Sequence, residues 1–397
     1  METFSEPHSQ KSSCPYCGDA PINHKLFYFA SLFSTKIDSH IVKVTKHAPN
    51  FLRDFVDFLL VIFFKILLFF RIVKLSDDIN KAKTFRSRVV WEEARKRGID
   101  MKQLMMLGSP MDEYVATING NPFYFNSLPI PTNLLVMKRN WDDKFILKEE
   151  LSKKNIPVPS YLQFSAILSG NVENIFYKLQ KPVIIKPQMG SRGRHTMTNI
   201  HTLEQFQEGV NIAKQICGYL VAEEHLHGDV CRATFVNGEL MGFYKGSAPH
   251  VIGDGVKTIQ ELVLEKDAKR PERVEKVSLN KEIQEHINRS GFKVNDVLPY
   301  GLRLQLTHRT GRLFGGVTKE MLDELHPSFL PILREAAQIV DLPVIGFDCV
   351  VPDPTKEQNT QRWGIIECNT LPFIDLHYYA LEGKPKNIAG KIWDLWS

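Results

Sequence analysis

Hydrophobic positions are distributed unevenly along the chain, and their densest run lies at residues 51–73. Phenylalanine, leucine, isoleucine and valine fill this run, interrupted by charged residues that include Asp54, Asp57, Lys65 and Arg71. A helix that crosses a bilayer needs about 20 consecutive apolar residues, and the uninterrupted part here is shorter. Because so much exposed apolar surface would aggregate, the run predicts a covered helix. Three environments could cover the helix. The first is a protein core or a partner subunit, the second is a membrane interface, and the third, which fits the pattern least, is the interior of a bilayer.

Beyond this run the pattern changes to that of an ordinary α/β region. Residues 85–98 carry apolar side chains at helical spacing and end at a glycine. A strand is predicted at 104–107, and Asn119-Gly120 between two apolar segments is a strong hairpin signal. Helix, strand and hairpin together predict a small α/β module over residues 81–140.

Helical and strand-like segments also alternate in the rest of the chain, with no internal repeat and no low-complexity tract. The predicted helices are 142–154, 203–217 and part of 322–340, and the predicted strands are 182–187, 219–224, 231–236, 346–351 and 363–367.

Composition narrows the class of protein without naming it. Hydrophobic residues make up 43% of the 397 residues and charged residues 24%, which excludes a disordered chain, a collagen-like chain and a multi-span membrane protein. The formal net charge of +5 is too small for this length to indicate a nucleic-acid partner. The N-terminus lacks the pattern of a signal peptide, and six cysteines form no disulfide framework. We therefore expect a cytoplasmic protein, with peripheral membrane attachment left open by residues 51–73.

One close pair of cysteines, Cys14 and Cys17, is the first feature with metal-binding chemistry. Zinc prefers four tetrahedral nitrogen or sulfur ligands, and a CxxC sequence supplies two of them. No second CxxC occurs in the chain, so His8, His24, His40 or a second subunit would have to complete a Zn²⁺ site. The alternative is two reduced thiols in a turn.

A basic, glycine-containing loop follows the predicted strand that ends at Lys186-Pro187. Its residues Gly190, Ser191, Arg192 and Gly193 offer backbone N–H groups to an anion, and the lysine and arginine supply positive charge. The P-loop pattern GxxxxGK[ST] is absent. The loop predicts an anion site of another kind, although basic glycine loops are also common on surfaces.

Oxygen-bearing side chains end two apolar strands near the C-terminus: Asp348 on one, Glu367 and Asn369 on the other. If the two strands are neighbours, the three side chains converge on one point. Hard oxygen ligands suit Mg²⁺, which binds few carboxylates together with substrate phosphates. The alternative is a pair of carboxylates that face solvent.

Several sequence blocks in a fixed order resemble the ATP-grasp superfamily over residues 141–397. The blocks most resemble the ATP-grasp domain of cyanophycin synthetase and of the bifunctional glutathione-synthesis enzymes. In order they are Asp143-Lys144 with Ile156-Pro157-Val158-Pro159, residues 181–187, residues 221–226 with Gly228-Asp229, residues 248–255 with Thr258-Ile259, residues 315–318 with His326-Pro327, Gly346-Phe347-Asp348, and Ile366-Glu367-Cys368-Asn369.

The resemblance implies an α+β ATP-grasp fold, two α+β subdomains that grip ATP, preceded here by the small α/β module. The domain boundaries expected from it are a tail with the CxxC pair at 1–50, a hydrophobic helical segment at 51–80, the α/β module at 81–140 and the ATP-grasp domain at 141–397. It also implies ATP and one or two Mg²⁺ ions as cofactors.

Roles for individual residues are carried over from the resemblance alone. The implied nucleotide contacts are Lys144, Lys186, Gly190, Ser191 and Gly193 for the phosphates, Glu223, Glu224 and Leu226 for adenine and ribose, and Asp229 as a further ribose contact. The implied Mg²⁺ ligands are Asp348, Glu367 and Asn369, and the implied catalytic cations are Arg232, Lys245 and Arg309, the last for the transferred phosphoryl group. Cys368, between two of these ligands, should point to the other face of its strand.

The resemblance implies an ATP-dependent carboxylate–amine ligase that forms an amide or peptide bond through an acyl phosphate, with an amino acid or small peptide as substrate. Its partners would be small-molecule carboxylates and amines, and a homo-oligomer is expected. The loop at 190–194 has fewer glycines than many relatives, and Leu371-Pro372-Phe373 replaces a common Pro-Gly turn. Three alternatives stay open: a ligase acting on a protein or carrier-bound substrate, an ATP-binding regulator, and a ligase held at a membrane surface.

Overall fold

The computed structural model describes residues 14–17, 22–32, 50–135, 139–166 and 172–396. Its elements mix helices with largely antiparallel sheets, and the predicted α+β class is confirmed. In the described residues three four- or five-stranded sheets organise the chain, and a two-stranded sheet is inserted in sequence between strands of the third. A short helix, α1, covers residues 24–32.

The first sheet contains four antiparallel strands in the order β1-β2-β3-β4. The elements of this module are α2 (Asn50–Phe69), β1 (Val73–Ser76), α3 (Phe85–Lys96), β2 (Met101–Met106), β3 (Ser109–Ile118) and β4 (Asn121–Asn126). The predicted hairpin is confirmed, because β3 pairs with β4 around Asn119 and Gly120. Both turn residues have positive φ, 50° and 80°, as a two-residue hairpin turn of type I′ requires.

Side chains alternate across this first sheet, so that each face buries a different helix. Tyr114 and Ala116 pack with α3, whereas Val115 between them packs on the side of α2. This is the two-residue period of a strand. The module therefore has three layers, with the sheet in the middle.

Among the residues that the structure describes, helix α2 is covered on one side only. Phe64, Leu67 and Leu68 pack against the first sheet, and the Phe64 ring stacks on Tyr124 with 4.8 Å between ring centroids. On the opposite side Phe69 is 81% exposed. Within the described residues no helix has both the length and the apolar character needed to cross a membrane. One face of α2 is thus packed as expected for a core helix. That a subunit or a membrane surface covers the other face stays a prediction.

The second sheet has the order β5-β8-β6-β7 and buries its core under two helices. The elements are β5 (Tyr161–Ser165), α5 (Val172–Lys178), β6 (Val183–Pro187), β7 (Met197–Ile200), α6 (Leu203–Ala213) and β8 (Tyr219–Glu224). Helix α6 begins with a capping box, in which Thr202 and Gln205 satisfy each other's backbone N–H groups. It ends earlier than the predicted 203–217.

The third sheet has five strands in the order β13-β10-β9-β14-β15 and carries the largest hydrophobic cluster. The elements are α4 (Lys144–Ser152), β9 (Asp229–Val236), β10 (Glu239–Gly246), β13 (Thr318–Glu320), α9 (Phe329–Val340), β14 (Val344–Val351) and β15 (Gly364–Asn369). Helix α9 begins late in its predicted range, because a residue before proline, here His326 before Pro327, disfavours helical backbone.

A smaller unit separates β10 from β13 in sequence, and the sequence analysis predicts none of its helices. It contains β11 (His250–Ile252), α7 (Ile259–Ala268), α8 (Lys281–Arg289) and β12 (Arg303–Gln305), and the C-terminus adds α10 (Asp375–Tyr378) and α11 (Ile388–Trp393). Helix α11 returns to the first module, where Trp393 is buried together with Val90 and Tyr114. The C-terminal helix and the first module are thereby packed into one cluster.

Candidate active site

A cavity of about 420 Å³ lies between the second and third sheets. Every predicted site residue except Lys245 lines it: Lys144, Lys186, Gly190, Ser191, Gly193, Glu223, Glu224, Leu226, Asp229, Arg232, Arg309, Asp348, Glu367 and Asn369. The structure therefore brings together residues that lie far apart in sequence. Lys245 is outside this lining, and its Nζ lies 3.4 Å from Oδ2 of Asp229, which lines the cavity.

The oxygen-bearing side chains meet as the sequence predicts. Strands β14 and β15 are antiparallel neighbours, and their register sets Asp348 directly opposite Glu367. Asn369 lies two residues further along the same face, and its Nδ2 donates to Asp348 Oδ2 at 3.3 Å. Cys368 between them points into the buried core, which confirms its predicted orientation.

Arg232 on β9 holds Asp348 from the other side. The register pairs the two residues across β9 and β14, and the guanidinium grips the carboxylate with two nitrogens, Nη2 at 2.8 Å from Oδ2 and Nε on Oδ1. Its remaining nitrogen, Nη1, is buried and has no hydrogen-bond partner among the described residues. Such an orphaned donor at the cavity wall is suited to an anionic ligand.

The two carboxylates differ in their affinity for protons. Burial, together with the charge of Glu367, raises the pKa of Asp348 to about 6 even though Arg232 opposes the change. Burial also acts on Glu367, but there Lys144, a hydrogen bond with Asp348, and Lys186 outweigh it and lower the pKa to about 2. The wall thus presents one firmly ionised carboxylate beside one that retains its proton more readily.

Two lysines face these carboxylates from the other elements of the cavity. Lys186, at the end of β6, lies 2.9 Å from Glu223 Oε2. Lys144, in the first turn of α4, donates to the carbonyl oxygen of Gly190 at 2.5 Å and lies 3.8 Å from Glu367 Oε2. Lys144 therefore connects the glycine loop to the carboxylate wall.

Sequence reasoning missed Lys148, which is fully buried. Its Nζ lies 2.7 Å from Glu223 Oε1 and donates to the carbonyl oxygen of Ile366 at 2.7 Å. Burial lowers the pKa of Lys148 to about 7 although Glu223 opposes the change. A signal was present: Lys148 follows Lys144 by four residues in α4, so both side chains lie on the same face of the helix.

Both oxygens of Glu223 are consequently held by lysines, and its contact with adenine or ribose stays a prediction. Although burial opposes ionisation, the charges of Lys148 and Lys186 keep the pKa of Glu223 below its ordinary value. The next residue, Glu224, is bound by Arg362 at 2.7 and 2.8 Å and accepts from the backbone N–H of Ser160 at 2.8 Å. Glu223 and Glu224 are thus both engaged by cationic side chains of the protein.

Arg309 is engaged at all three guanidinium nitrogens. It contacts Glu282 Oε1 at 3.0 and 3.1 Å, the carbonyl oxygen of Arg192 at 3.3 Å and that of Tyr16 at 3.2 Å. In this arrangement Arg309 positions the loop at 190–193. Its role toward a transferred phosphoryl group stays a prediction.

The loop itself needs glycine at two positions. Gly190 and Gly193 have φ of +133° and +63°, and a Cβ on Gly193 would come within 3.0 Å of His308 Nε2. Side chains at these positions would strain the backbone and would narrow the space between the loop and His308. Glycine at these two positions thereby lets the loop line the cavity without backbone strain.

The donor set fits the cofactors that the resemblance implies. Two carboxylates and an amide oxygen on one wall are the hard ligands that Mg²⁺ prefers, with substrate phosphates completing its shell. The ammonium groups of Lys144 and Lys186 and the glycine loop supply the positive charge and N–H donors that phosphates need. Asp348, Glu367 and Asn369 are the residues that would hold the ion.

Comparison with known proteins gives matches that each cover part of the chain. No family model matches the sequence. Cyanophycin synthetase of Trichormus variabilis is 28% identical over 259 residues, 64% of this chain and 29% of that protein. The glutathione biosynthesis bifunctional protein of Mannheimia succiniciproducens is 27% identical over 289 residues, 70% of this chain and 37% of that protein. A bifunctional glutathione synthetase from Pasteurella multocida aligns with a TM-score of 0.49 at 20% identity, covering 78% of this chain and 43% of that one.

These sequence similarities and the two-lobed α+β cavity define the class of protein. The matches support an ATP-grasp superfamily ligase, the family that the sequence blocks resemble. It spans less than a third of the length of the cyanophycin synthetases that it matches and little more than a third of the bifunctional glutathione proteins.

Proposed function

We propose that the protein is an ATP-dependent carboxylate–amine ligase that joins an amino acid or small peptide to an amine. The observation that carries this proposal is the pairing of Asp348 and Glu367 on one cavity wall, opposite Lys144 and Lys186. A carboxylate pair for Mg²⁺ facing cations for phosphates is the minimum equipment for moving a phosphoryl group. The relatives named cyanophycin synthetase and glutathione biosynthesis protein support the same class of reaction.

The proposed reaction has two steps. A carboxylate oxygen of the first substrate attacks the γ-phosphorus of ATP, the bond to the β–γ bridging oxygen breaks, and ADP leaves. The amine nitrogen of the second substrate then attacks the carbonyl carbon, inorganic phosphate leaves with the electron pair of the C–O bond, and the nitrogen loses a proton. The products are an amide, ADP and phosphate.

The chain's own residues would position and neutralise charge and would form no covalent bond. Mg²⁺, held by Asp348, Glu367 and Asn369, would neutralise negative charge on the phosphates. Lys144 and Lys186 bind phosphate oxygens, and the N–H groups of the loop at 190–193 add hydrogen bonds. Arg232 keeps Asp348 aligned, and its Nη1, which has no partner among the described residues, would bind the reacting carboxylate. Positioning and electrostatic stabilisation of this kind account for most catalysis of phosphoryl transfer.

The test is ADP release with Mg²⁺-ATP against pooled amino acids and short peptides, with products identified by mass spectrometry. We expect a pool-dependent signal that Glu367→Ala abolishes. Glu335→Ala, at an exposed position on α9, is the matched control and should retain activity. A product mass would identify the two substrates.

Absence of turnover with every pool would contradict the proposal of a small-molecule ligase. If ATP binding that depends on Lys186 were still observed, two alternatives would remain. Either the substrate is a protein or is bound to a carrier, or the protein is an ATP-binding regulator. The expected homo-oligomer and the contact of residues 51–73 with a membrane surface or a subunit stay predictions.

A further inference from the structure

Four metal-binding side chains from three separate segments converge beside the glycine loop. They are Cys14, Cys17, His24 and His195, and their ligand atoms all lie within 4.8 Å of one another. Cys17 Sγ lies 3.1 Å from His24 Nε2 and 3.5 Å from His195 Nε2, and Cys14 Sγ lies 3.6 Å from His195 Nε2. The cluster lies outside the residues that carry the proposed reaction.

The spacing of these atoms is that of a tetrahedral zinc shell. Zn–S bonds of about 2.3 Å and Zn–N bonds of about 2.0 Å at tetrahedral angles separate sulfur from nitrogen by about 3.5 Å. Two of the three sulfur–nitrogen distances agree with this value within 0.1 Å. Two thiols and two imidazoles are also the ligand types that Zn²⁺ prefers.

His195 is oriented as a metal ligand should be. Its ring is completely buried, and its Nδ1 lies 2.8 Å from the carbonyl oxygen of Ile212. A hydrogen bond from Nδ1–H to a carbonyl fixes the tautomer that leaves the Nε2 lone pair free for a metal. Nε2 is the atom that faces both thiols.

We propose that Cys14, Cys17, His24 and His195 bind a structural Zn²⁺ ion that fixes the N-terminal segment against the glycine loop. Four protein ligands leave no open position for a substrate or a reactive water, which is the arrangement of structural zinc sites. Of the histidines considered from sequence, His24 joins the cluster, whereas His8 and His40 lie outside the described residues. No partner subunit is needed to complete the four ligands.

The contacts around the cluster explain what the ion would stabilise. The carbonyl oxygen of Tyr16, inside the CxxC turn, accepts from the backbone N–H of His195 at 3.1 Å and from Arg309 Nη2 at 3.2 Å. Arg309 in turn donates to the carbonyl of Arg192 in the loop. The Tyr16 hydroxyl donates to Glu285 Oε2 at 2.9 Å. The ion would therefore hold the CxxC turn, the loop and α8 in one arrangement.

The primary test is the metal content of the full-length, untagged protein measured by inductively coupled plasma mass spectrometry. We expect about one Zn²⁺ per chain, lost in Cys17→Ser and in His195→Ala. Cys217→Ser, at a buried cysteine outside the cluster, is the matched control and should retain zinc. His24→Cys replaces one zinc ligand with another and should also retain it. Zinc content equal in wild type and Cys17→Ser would overturn the proposal.

A second measurement needs no variant and so does not depend on variants that fold. The wild-type protein, stripped with a chelator, is titrated with Co²⁺ alone. We expect the intense visible absorption of a tetrahedral, thiolate-ligated Co²⁺, saturating at one ion per chain and displaced by Zn²⁺. A weak, octahedral spectrum would contradict the four-ligand site.

The effect of the zinc ion on the glycine loop is measured through the affinity for ATP. This test, unlike the two metal-binding tests, rests on the proposed function. Zinc-free protein should bind ATP at least severalfold more weakly than the zinc-loaded protein, and Zn²⁺ should restore the affinity. If the protein bound zinc but not ATP in either form, the metal site would stand and the proposed function would fail. Equal ATP affinity with and without zinc would refute the link to the loop.

Discussion

Lys148 and Glu223 form an ion pair with 2.7 Å between Nζ and Oε1, and both side chains are shielded from solvent. The pair also joins the two halves of the cavity. Lys148 belongs to α4, which packs on β15 of the third sheet, whereas Glu223 belongs to β8 of the second sheet. The two sheets that enclose the cavity are thus tied together behind it by a buried charge pair.

Replacing Lys148 should destabilise the protein strongly. In Lys148→Met, Glu223 retains only Lys186, and removing one partner of a buried ion pair typically costs about 3–5 kcal/mol. Equilibrium unfolding in urea measures the change. Lys154→Met, at an exposed position just after the same helix, is the control and should change the free energy of unfolding little. A loss no larger than that of the control would show that the pair does not contribute.

Substitution of Asp348 and substitution of Glu367 should both abolish activity but should differ in how much they destabilise the protein. Asp348→Asn leaves the buried Arg232 without its counter-charge, so we expect lost activity together with a loss of stability of about 3 kcal/mol or more. Glu367→Gln should abolish ADP release while changing the unfolding midpoint less, because Lys144 is 3.8 Å away and also bonded to Gly190. Unfolding curves and ADP release, measured on the same preparations of each variant, distinguish the loss of stability from the loss of activity. Equal destabilisation by both substitutions would contradict the expectation that only Asp348 neutralises the buried Arg232.

Lys186 should govern the affinity for ATP. A hydrogen bond to a charged group contributes about 1.5–3 kcal/mol, so Lys186→Met should weaken ATP binding by roughly 10-fold to 100-fold. Isothermal titration calorimetry with Mg²⁺-ATP measures the change. Lys214→Met, at an exposed position after α6, should bind ATP like the wild type. Undiminished affinity for ATP in the Lys186 variant would show that this lysine does not contact the nucleotide.

Stability should fall as the pH is lowered because His286 is buried in its neutral form. Burial, with help from the charge of Arg289, lowers the pKa of His286 to about 3. Between pH 6.5 and 3 the unfolded chain binds this proton and the folded chain does not, so stability is complete above pH 6.5 and is lost below it. One such group changes the free energy of unfolding by up to about 1.4 kcal/mol per pH unit.

The variant that checks this linkage is His286→Leu, which removes the titrating group. We expect its unfolding free energy to depend less steeply on pH between 6.5 and 5, by roughly 1 kcal/mol per pH unit. His227→Leu, at an exposed histidine, should keep the slope of the wild type. An unchanged slope in the His286 variant would place the acid sensitivity elsewhere.

Much of the fold follows from patterns of short range. Helix α3, the hairpin β3–β4 and the strands β6, β8 and β14 were predictable because periodicity and turn residues act within a few positions. Helices α7 and α8 were not predicted, since they bury their apolar faces against one another and two short strands rather than against a long sheet. Tertiary packing decides such elements.

The sequence by itself determined which chemistry the site contains. Alternation along a strand obliges Asp348 to share a face with its neighbours two residues away, and a glycine loop after Lys186 exposes N–H groups wherever the strand is placed. Only the tertiary structure decided that Lys148 neutralises Glu223, and that His195 meets Cys14 across 181 residues of chain. Contacts of that separation leave no local signal, because burial and distance are set by how whole elements pack.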